Sequence, residues 1–405
     1  MTITEPTTNA SPAACTAAAP RSLEPDLLLR FRQRACDYDR HNSFFTEDFE
    51  ELRDIGYLRA AAPARWDGWG MSLTQLASSQ RLLARHAPAT ALATTMHHYW
   101  VGLAADFQRL GSPLGATLLE KVARGEVFAS GHAESGIDVP IVASSTRAEP
   151  VDGGYRVTGR KHFTSLSPVW TVVGLHAMDA TSDPDRPVIV HAFVDRSSPG
   201  ITVLQDWDTL GMRASQSHST ELDDVFVPHE AVAAVVPVGD PTDPLVAMAS
   251  IWALTLISNV YLGIAERAFE LAVENATSKS AVTIPRGSYA THPFIQHQIA
   301  EMYLDLHAAR ATLDGLAADW TDGVDHGAEW AAMLFSAKWR TVDVARRVVS
   351  TAMDVVGGGS FYRRSELERL YRDVRAGAHH PPNDAYAHEA IAKMVLGIGT
   401  DGPRW

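Results

Sequence analysis

The sequence predicts a mainly helical chain with a β domain at its centre: a helical N-terminal domain, a middle β-barrel and a C-terminal four-helix bundle. Two switches of hydrophobic period carry this reading. Apolar residues recur at three and four spacings up to about Arg124, alternate in short runs from Val127, and return to three and four beyond Pro241. Length is the third observation, because 405 residues exceed one ordinary core and call for two or three packed units.

The elements follow in order. The opening "MTITEPTTNASPAACTAAAP" lacks a basic n-region and a continuous apolar core, so residues 1–21 read as a disordered tail rather than a targeting segment. Residues 22–126 form the helical N-terminal domain, with "EDFEELRDIGYL" and "LTQLASSQRLLARH" as helices and "PARWDGWG" as the loop between them. Residues 127–240 form the barrel. Its runs "GYRVTGRKHF", "WTVVGLHAM", "VIVHAFVD" and "ITVLQDW" are separated by Gly, Pro and Asp, and Pro228 stops its last strand. Residues 241–405 form the bundle: helices from Leu245 to Ser278, His292 to Trp320 and Glu329 to Val356, and a last one starting near Asn383.

Composition excludes several functions. A formal charge of −13 without a basic stripe argues against nucleic acid and anionic membrane surfaces. Two cysteines, Cys15 and Cys36, make neither a disulfide framework nor a thiolate metal site. No apolar run approaches the roughly 20 residues of a membrane span, and a cytoplasmic location is expected. The 17 histidines show no metal-ligand spacing. Small molecules and protein remain as partners.

Three ordered phrases identify a family. "GGYRVTGRKHFTS", "DTLGMRASQSHSTELDDVFVP" and "DVVGGGSFYRRSELERLYRDVR" resemble the middle-domain strand pair, the closing strand and the Gly-Gly turn with its Arg-Asp helix in the acyl-CoA dehydrogenase superfold. The resemblance spans about Glu24 to Gly397. A dehydrogenase of that kind needs a carboxylate poised over the substrate to remove a weakly acidic proton. The family's two positions for that base read Pro381 and Ala253 here. A second branch of the superfold lacks the carboxylate: the two-component flavin-dependent monooxygenases typified by dibenzothiophene monooxygenase and the hydroxyphenylacetate hydroxylase oxygenases. "KHFTS", "SNVYLGIA" and "RDVRAGAHHPP" resemble that branch.

The second resemblance implies an oxygenase component that receives reduced FMN from a separate flavin reductase. It would pass one oxygen atom, through a C4a-hydroperoxyflavin, to a small apolar or aromatic substrate. It also implies roles for residues. His380 would donate or accept a proton, its ordinary pKa of about 6.5 suiting that task near neutrality. Ser165 would hydrogen-bond the flavin's reactive edge. His98 would line the substrate cavity. Phe163, Thr164 and His132 would contact the flavin, and Lys279 with the turn at Gly357 and Gly358 would serve its phosphate. That glycine turn is closer to the dehydrogenase type, which makes FAD the alternative cofactor. An FAD-dependent acyl-CoA dehydrogenase with a relocated base, at Glu389, Glu266 or Asp384, is the rival function. Both branches imply a homotetramer in which one subunit's glycine turn completes another's flavin site.

Overall fold

The computed structural model describes residues 21–136, 141–280 and 287–398. The expected N-terminal tail falls almost wholly outside the described residues.

Five helices make the N-terminal domain: α1 (Pro25–His41), α2 (Thr46–Asp54), α3 (Leu73–Ala84), α4 (Pro88–Arg109) and α5 (Pro113–Ala123). Proline at the first turn starts α1, α4 and α5, where its missing N–H costs nothing. A capping box between Ser72 and Gln75 starts α3. Helix α4 is the pivot of the molecule. It buries every residue from Thr90 to Ala104, and its Trp100 indole donates to the Ala129 carbonyl at 3.2 Å.

The β domain stands between the two helical parts, as the change of hydrophobic period requires. Its strands are β1 (Phe128–Gly131), β2 (Arg147–Val151), β3 (Gly154–Lys161), β4 (Val172–Asp179), β5 (Val188–Asp195), β6 (Ile201–Val203), β7 (Thr220–Pro228) and β8 (Val232–Pro237). They form one sheet in the order β6-β7-β3-β2-β4-β5-β8, with β1 parallel to β4. Among the described residues β6 and β8 stand at the two ends of this order. Two residues on adjacent strands matter below: His176 on β4 stands opposite His191 on β5.

The bundle comprises α6 (Pro244–Ser278), α7 (Pro293–Asp322), α8 (Glu329–Val356) and α10 (Asp384–Leu396), with the short α9 (Glu366–Val374) before the last. The 35-residue α6 is long and apolar enough to cross a membrane, which corrects the expectation that no such run exists. Its apolar window is 83% buried inside the fold. A helix packed on all sides needs apolar residues all round, so burial accounts for its composition. The turn after α9 sets the backbone of the segment that follows. Residues Arg375–His379 form a 3-10 turn, and His380 is extended at φ −75°, ψ 138°, as a residue before proline must be. His380 thus ends this 3-10 turn in extended backbone.

Candidate active site

The three parts of the fold enclose a cavity of about 440 Å³ between α4, α6, the end of β3, the loop before β7 and the segment after α9. Helix α4 presents Leu92, Met96 and Tyr99, one stripe at helical spacing. Helix α6 presents Val246, Ala249, Ala253 and Ile257 in the same way. Phe335 of α8 and Tyr386 of α10 close this apolar end, their ring centroids 5.8 Å apart.

The opposite end is more polar. After β3 the chain turns through Phe163 at φ +56° and Leu166 at φ +64°, conformations uncommon for large side chains. The kink turns the Phe163 ring outward, 54% exposed, with its edge toward Trp207 at 6.1 Å. Ser165 turns inward and begins a hydroxyl ladder: its Oγ lies 2.7 Å from Ser217 Oγ, which lies 2.7 Å from Ser215 Oγ. All three serines line the cavity. Gly211 sits in the roof, its backbone directly on α9; an added Cβ would fall 2.4 Å from the Arg372 carbonyl oxygen. Arg372 holds Asp39 of α1 through two contacts of 2.8 and 2.6 Å and donates to the Leu210 carbonyl at 3.0 Å. Asp373 accepts from the Met212 N–H at 2.6 Å.

His380 reaches the cavity beside Pro381. Its backbone is held from below: the buried Lys338 ammonium donates to the carbonyls of His380 and Pro382. Its ring packs on Tyr261, centroid to centroid 5.7 Å. Burial, then the Lys338 ammonium and His379, pushes the imidazole down to about 3. This corrects the expected titration near neutrality. At physiological pH His380 is a neutral ring that donates one hydrogen bond and accepts another.

Among the described residues no aspartate or glutamate lines this cavity. Ala253 and Pro381, the two positions where the dehydrogenase resemblance expects a base, both stand in its wall. Each rival base is elsewhere. Glu266 is ion-paired with Arg310, Asp384 accepts from the Trp339 indole, and Glu389 pairs with Lys393 at 2.7 Å.

The structure brings His380, Ser165, Phe163 and His132 to one cavity and leaves out the other expected residues. His98 faces away, its ring edge-on to Tyr57 at 4.8 Å and both ring nitrogens unpartnered among the described residues. Adjacent residues on a helix point about 100° apart, and neither histidine of α4 takes the cavity stripe. His97 instead accepts from the Phe128 N–H at 3.0 Å and donates to the Leu58 carbonyl at 2.8 Å. Thr164 is fully buried beneath the kink, outside the cavity lining. Lys279 caps the far end of α6, about 39 Å along the helix from Ala253 at 1.5 Å per residue. Gly357 and Gly358 follow α8, about 28 Å or more beyond Lys338 on the same count. None of these three serves the cavity of its own chain.

Tyr99, Trp207, Ser215, Ser217 and Arg372 are wall residues that the sequence reading passed over. One signal was available, the helical spacing of Leu92, Met96 and Tyr99; the Ser215 and Ser217 hydroxyls meet across Gln216, left-handed at φ +43°, in a turn rather than a strand.

The described walls fit the ring system of a flavin. An outward Phe163 and Trp207 offer aromatic faces at the mouth, and the serine ladder offers hydroxyl donors and acceptors to a polar ring edge.

A domain model described as "Acyl-CoA dehydrogenase, middle domain" matches residues 128–225, and one described as "Acyl-CoA dehydrogenase, C-terminal domain" matches residues 255–384. The chain belongs to the acyl-CoA dehydrogenase family. Within it, the chain is 31% identical to amino sugar nitrososynthase DnmZ of Streptomyces peucetius, over 92% of both chains. It is 30% identical to the putative acyl-CoA dehydrogenase YdbM of Bacillus subtilis, over 90% of this chain and 93% of that one. Dibenzothiophene monooxygenase of Rhodococcus erythropolis is 26% identical over 90% of both. The crystal structure of KijD3 in complex with FMN and a dTDP-linked amino keto sugar superimposes with a TM-score of 0.82 at 29% identity, covering 93% of each chain.

Proposed function

We propose that this protein is the oxygenase component of a two-component flavin-dependent monooxygenase, acting on a small apolar or aromatic substrate. The observation that carries the reading is the cavity wall: Ala253 and Pro381 where a dehydrogenase holds its base, and among the described residues no carboxylate anywhere in the lining. The oxygenase and FMN-bound relatives support it. Reduced FMN, supplied by a separate reductase, provides the electrons with which dioxygen is divided between product and water.

The chain's own residues do the rest. Phe163 and Trp207 wall the flavin ring. The Ser165–Ser217–Ser215 ladder places a hydroxyl hydrogen at its polar edge and passes the direction of that bond from one oxygen to the next. His380, neutral and fixed by Lys338 beneath it, orients a hydrogen bond into the space between flavin and substrate. It takes up a proton only in passing. Leu92, Met96, Val246, Ile257, Phe335 and Tyr386 exclude water from the substrate end.

The wall also favours a compact uncharged substrate over a nucleotide sugar. Two phosphates need several cations, and among the described residues the lining offers Arg372, already committed to Asp39 and Glu368, and Arg375. Lys279 and the turn at Gly357 and Gly358 of another copy would hold the flavin phosphate in a homotetramer working in the cytoplasm.

The test mixes the purified protein with reduced FMN, oxygen and candidate aromatic substrates, and measures product against peroxide. Product with little peroxide supports the reading, and His380→Ala should shift the balance to peroxide. Bleaching of the bound oxidised flavin by an acyl-CoA without oxygen would overturn it.

A further inference from the structure

The interior of the β domain holds a cluster that neither the family's base positions nor the cavity wall explains. Lys161 at the end of β3 forms a fully buried ion pair with Glu134. Glu134 is saturated by Ser144 Oγ and Thr146 Oγ1, each at 2.7 Å, and by Ser145 Oγ at 2.8 Å. The Lys161 ammonium also donates to the His176 carbonyl at 2.6 Å and lies 3.3 Å from His176 Nδ1. An ammonium has no lone pair to offer, so His176 Nδ1 accepts. Its Nε2 then carries the hydrogen and donates to the Ala143 carbonyl at 2.8 Å. Every atom of this part is satisfied.

The next two rings are not. His191 stands opposite His176 on the neighbouring strand, 6.0 Å away and nearly parallel, and is 2% exposed. Neither of its ring nitrogens has a partner among the described residues. His132 lies between this interior and the cavity. Its Nδ1 is 3.0 Å from Ser130 Oγ and 3.5 Å from the Tyr99 hydroxyl, and both of those residues line the cavity. Its Nε2 is buried and unpartnered among the described residues. The His132 and His191 centroids are 6.5 Å apart. Nitrogens turned toward each other stand closer than their centroids, within the roughly 6 Å that two hydrogen bonds through one water span.

Burial first, and the Lys161 ammonium among the charges, holds His132 and His176 well below the ordinary imidazole range and His191 at about 4. Each ring is neutral and carries one N–H and one lone pair. A neutral imidazole has two tautomers, and the partner of one nitrogen decides what the other presents.

We propose that His191 is a positioning residue for the cavity: one enclosed water joins its ring to Nε2 of His132 and thereby decides whether His132 presents a hydrogen or a lone pair to Ser130 and Tyr99. The two wall hydroxyls are then aimed from inside the sheet. The use made of them rests on the oxygenase reading, whereas the water and the tautomer do not.

The experiment labels histidine rings with nitrogen-15 and compares wild type, His191→Phe and His191→Asn, with His132→Asn to assign the His132 signals. Wild type should show His132 in a single tautomer. The Phe variant, which fills the ring's place without nitrogens, should show it mixed or reversed. The Asn variant, which keeps a donor and an acceptor, should restore it. An unchanged His132 tautomer in the Phe variant overturns the proposal. If the Phe variant fails to fold, a crystal structure of the wild type decides: a water within hydrogen-bonding distance of both rings supports the proposal, and its absence overturns it. With reduced FMN and oxygen, the product-to-peroxide ratio of the Phe variant should fall by about tenfold, as for partners that orient a primary ligand, and recover in the Asn variant. A tautomer change in a protein that makes no product leaves this inference standing and sinks the oxygenase reading.

Discussion

Replacing Arg372 by Met tests how the cavity is held together. The guanidinium contacts Asp39 twice and Glu368 twice, the latter at 2.7 and 2.9 Å, besides the Leu210 carbonyl. Arg372 and Asp39 keep only 13% and 11% of their side-chain surface exposed. Removing one member of such a pair leaves two uncompensated carboxylates facing each other, which costs about 3–5 kcal/mol. For a chain of 405 residues the unfolding entropy is about 0.85 kcal/mol per degree, so the melting temperature should fall by about 4–6 °C. Denaturant unfolding at neutral pH measures the loss directly. Repeating it below the ordinary carboxylate range, near pH 3, should shrink the difference between variant and wild type, because protonated carboxyls no longer repel. A loss under about 1 kcal/mol at neutral pH, insensitive to acid, would place the pair in the class of screened surface contacts. It would then refute the claim that α1, α9 and the roof loop are tied through this arginine.

Four further outcomes follow from the geometry. Ser217→Ala interrupts the hydroxyl ladder and should raise peroxide release several-fold while FMN affinity, measured by fluorescence titration, stays within about twofold; a large affinity loss would assign the ladder to binding alone. His98→Leu removes two unpartnered buried nitrogens and should raise stability by about 1 kcal/mol in denaturant unfolding, with product formation unchanged; reduced turnover would return His98 to the site. Phe335→Ala should widen the apolar end and shift the ratio of kcat/KM toward bulkier aromatic substrates by about tenfold. Lys161 and Lys338 titrate at about 8 in the fold against 10.5 when exposed. The unfolded chain therefore binds more protons across that window, and these two groups make stability rise from pH 8 toward 10.5. Lys338→Met should show a smaller rise than wild type in urea unfolding at several pH values.

Much of the helical architecture was legible because its signals are local. Helix α8 begins and ends at Glu329 and Val356 as its apolar spacing and following glycine require. His380, Ser165 and Phe163 were placed by the resemblance of "RDVRAGAHHPP" and "KHFTS" to a known branch, a match of short phrases that survives in one dimension. What was missed depends on distant partners. The depressed pKa of His380 comes first from burial and then from Lys338, more than forty residues away in sequence, with His379 beside it. The face of α4 that meets the cavity was misjudged because the eye went to the paired histidines rather than to the stripe of Leu92, Met96 and Tyr99. His176 and His191 belong to strands whose register alone brings them together.

The contact of Gly211 with the α9 backbone bears on how a reactant gets in. With carbonyl and α-carbon pressed so closely, and Asp373 gripping the Met212 amide beside them, the two lobes cannot swing apart on a hinge without tearing main-chain contacts. Admission must then be a matter of small gates. The exposed side chains of Leu210 and Phe163 at the rim are free to change rotamer in nanoseconds. Room at the rim is therefore made by turning side chains, while the main chain behind them stays where it is.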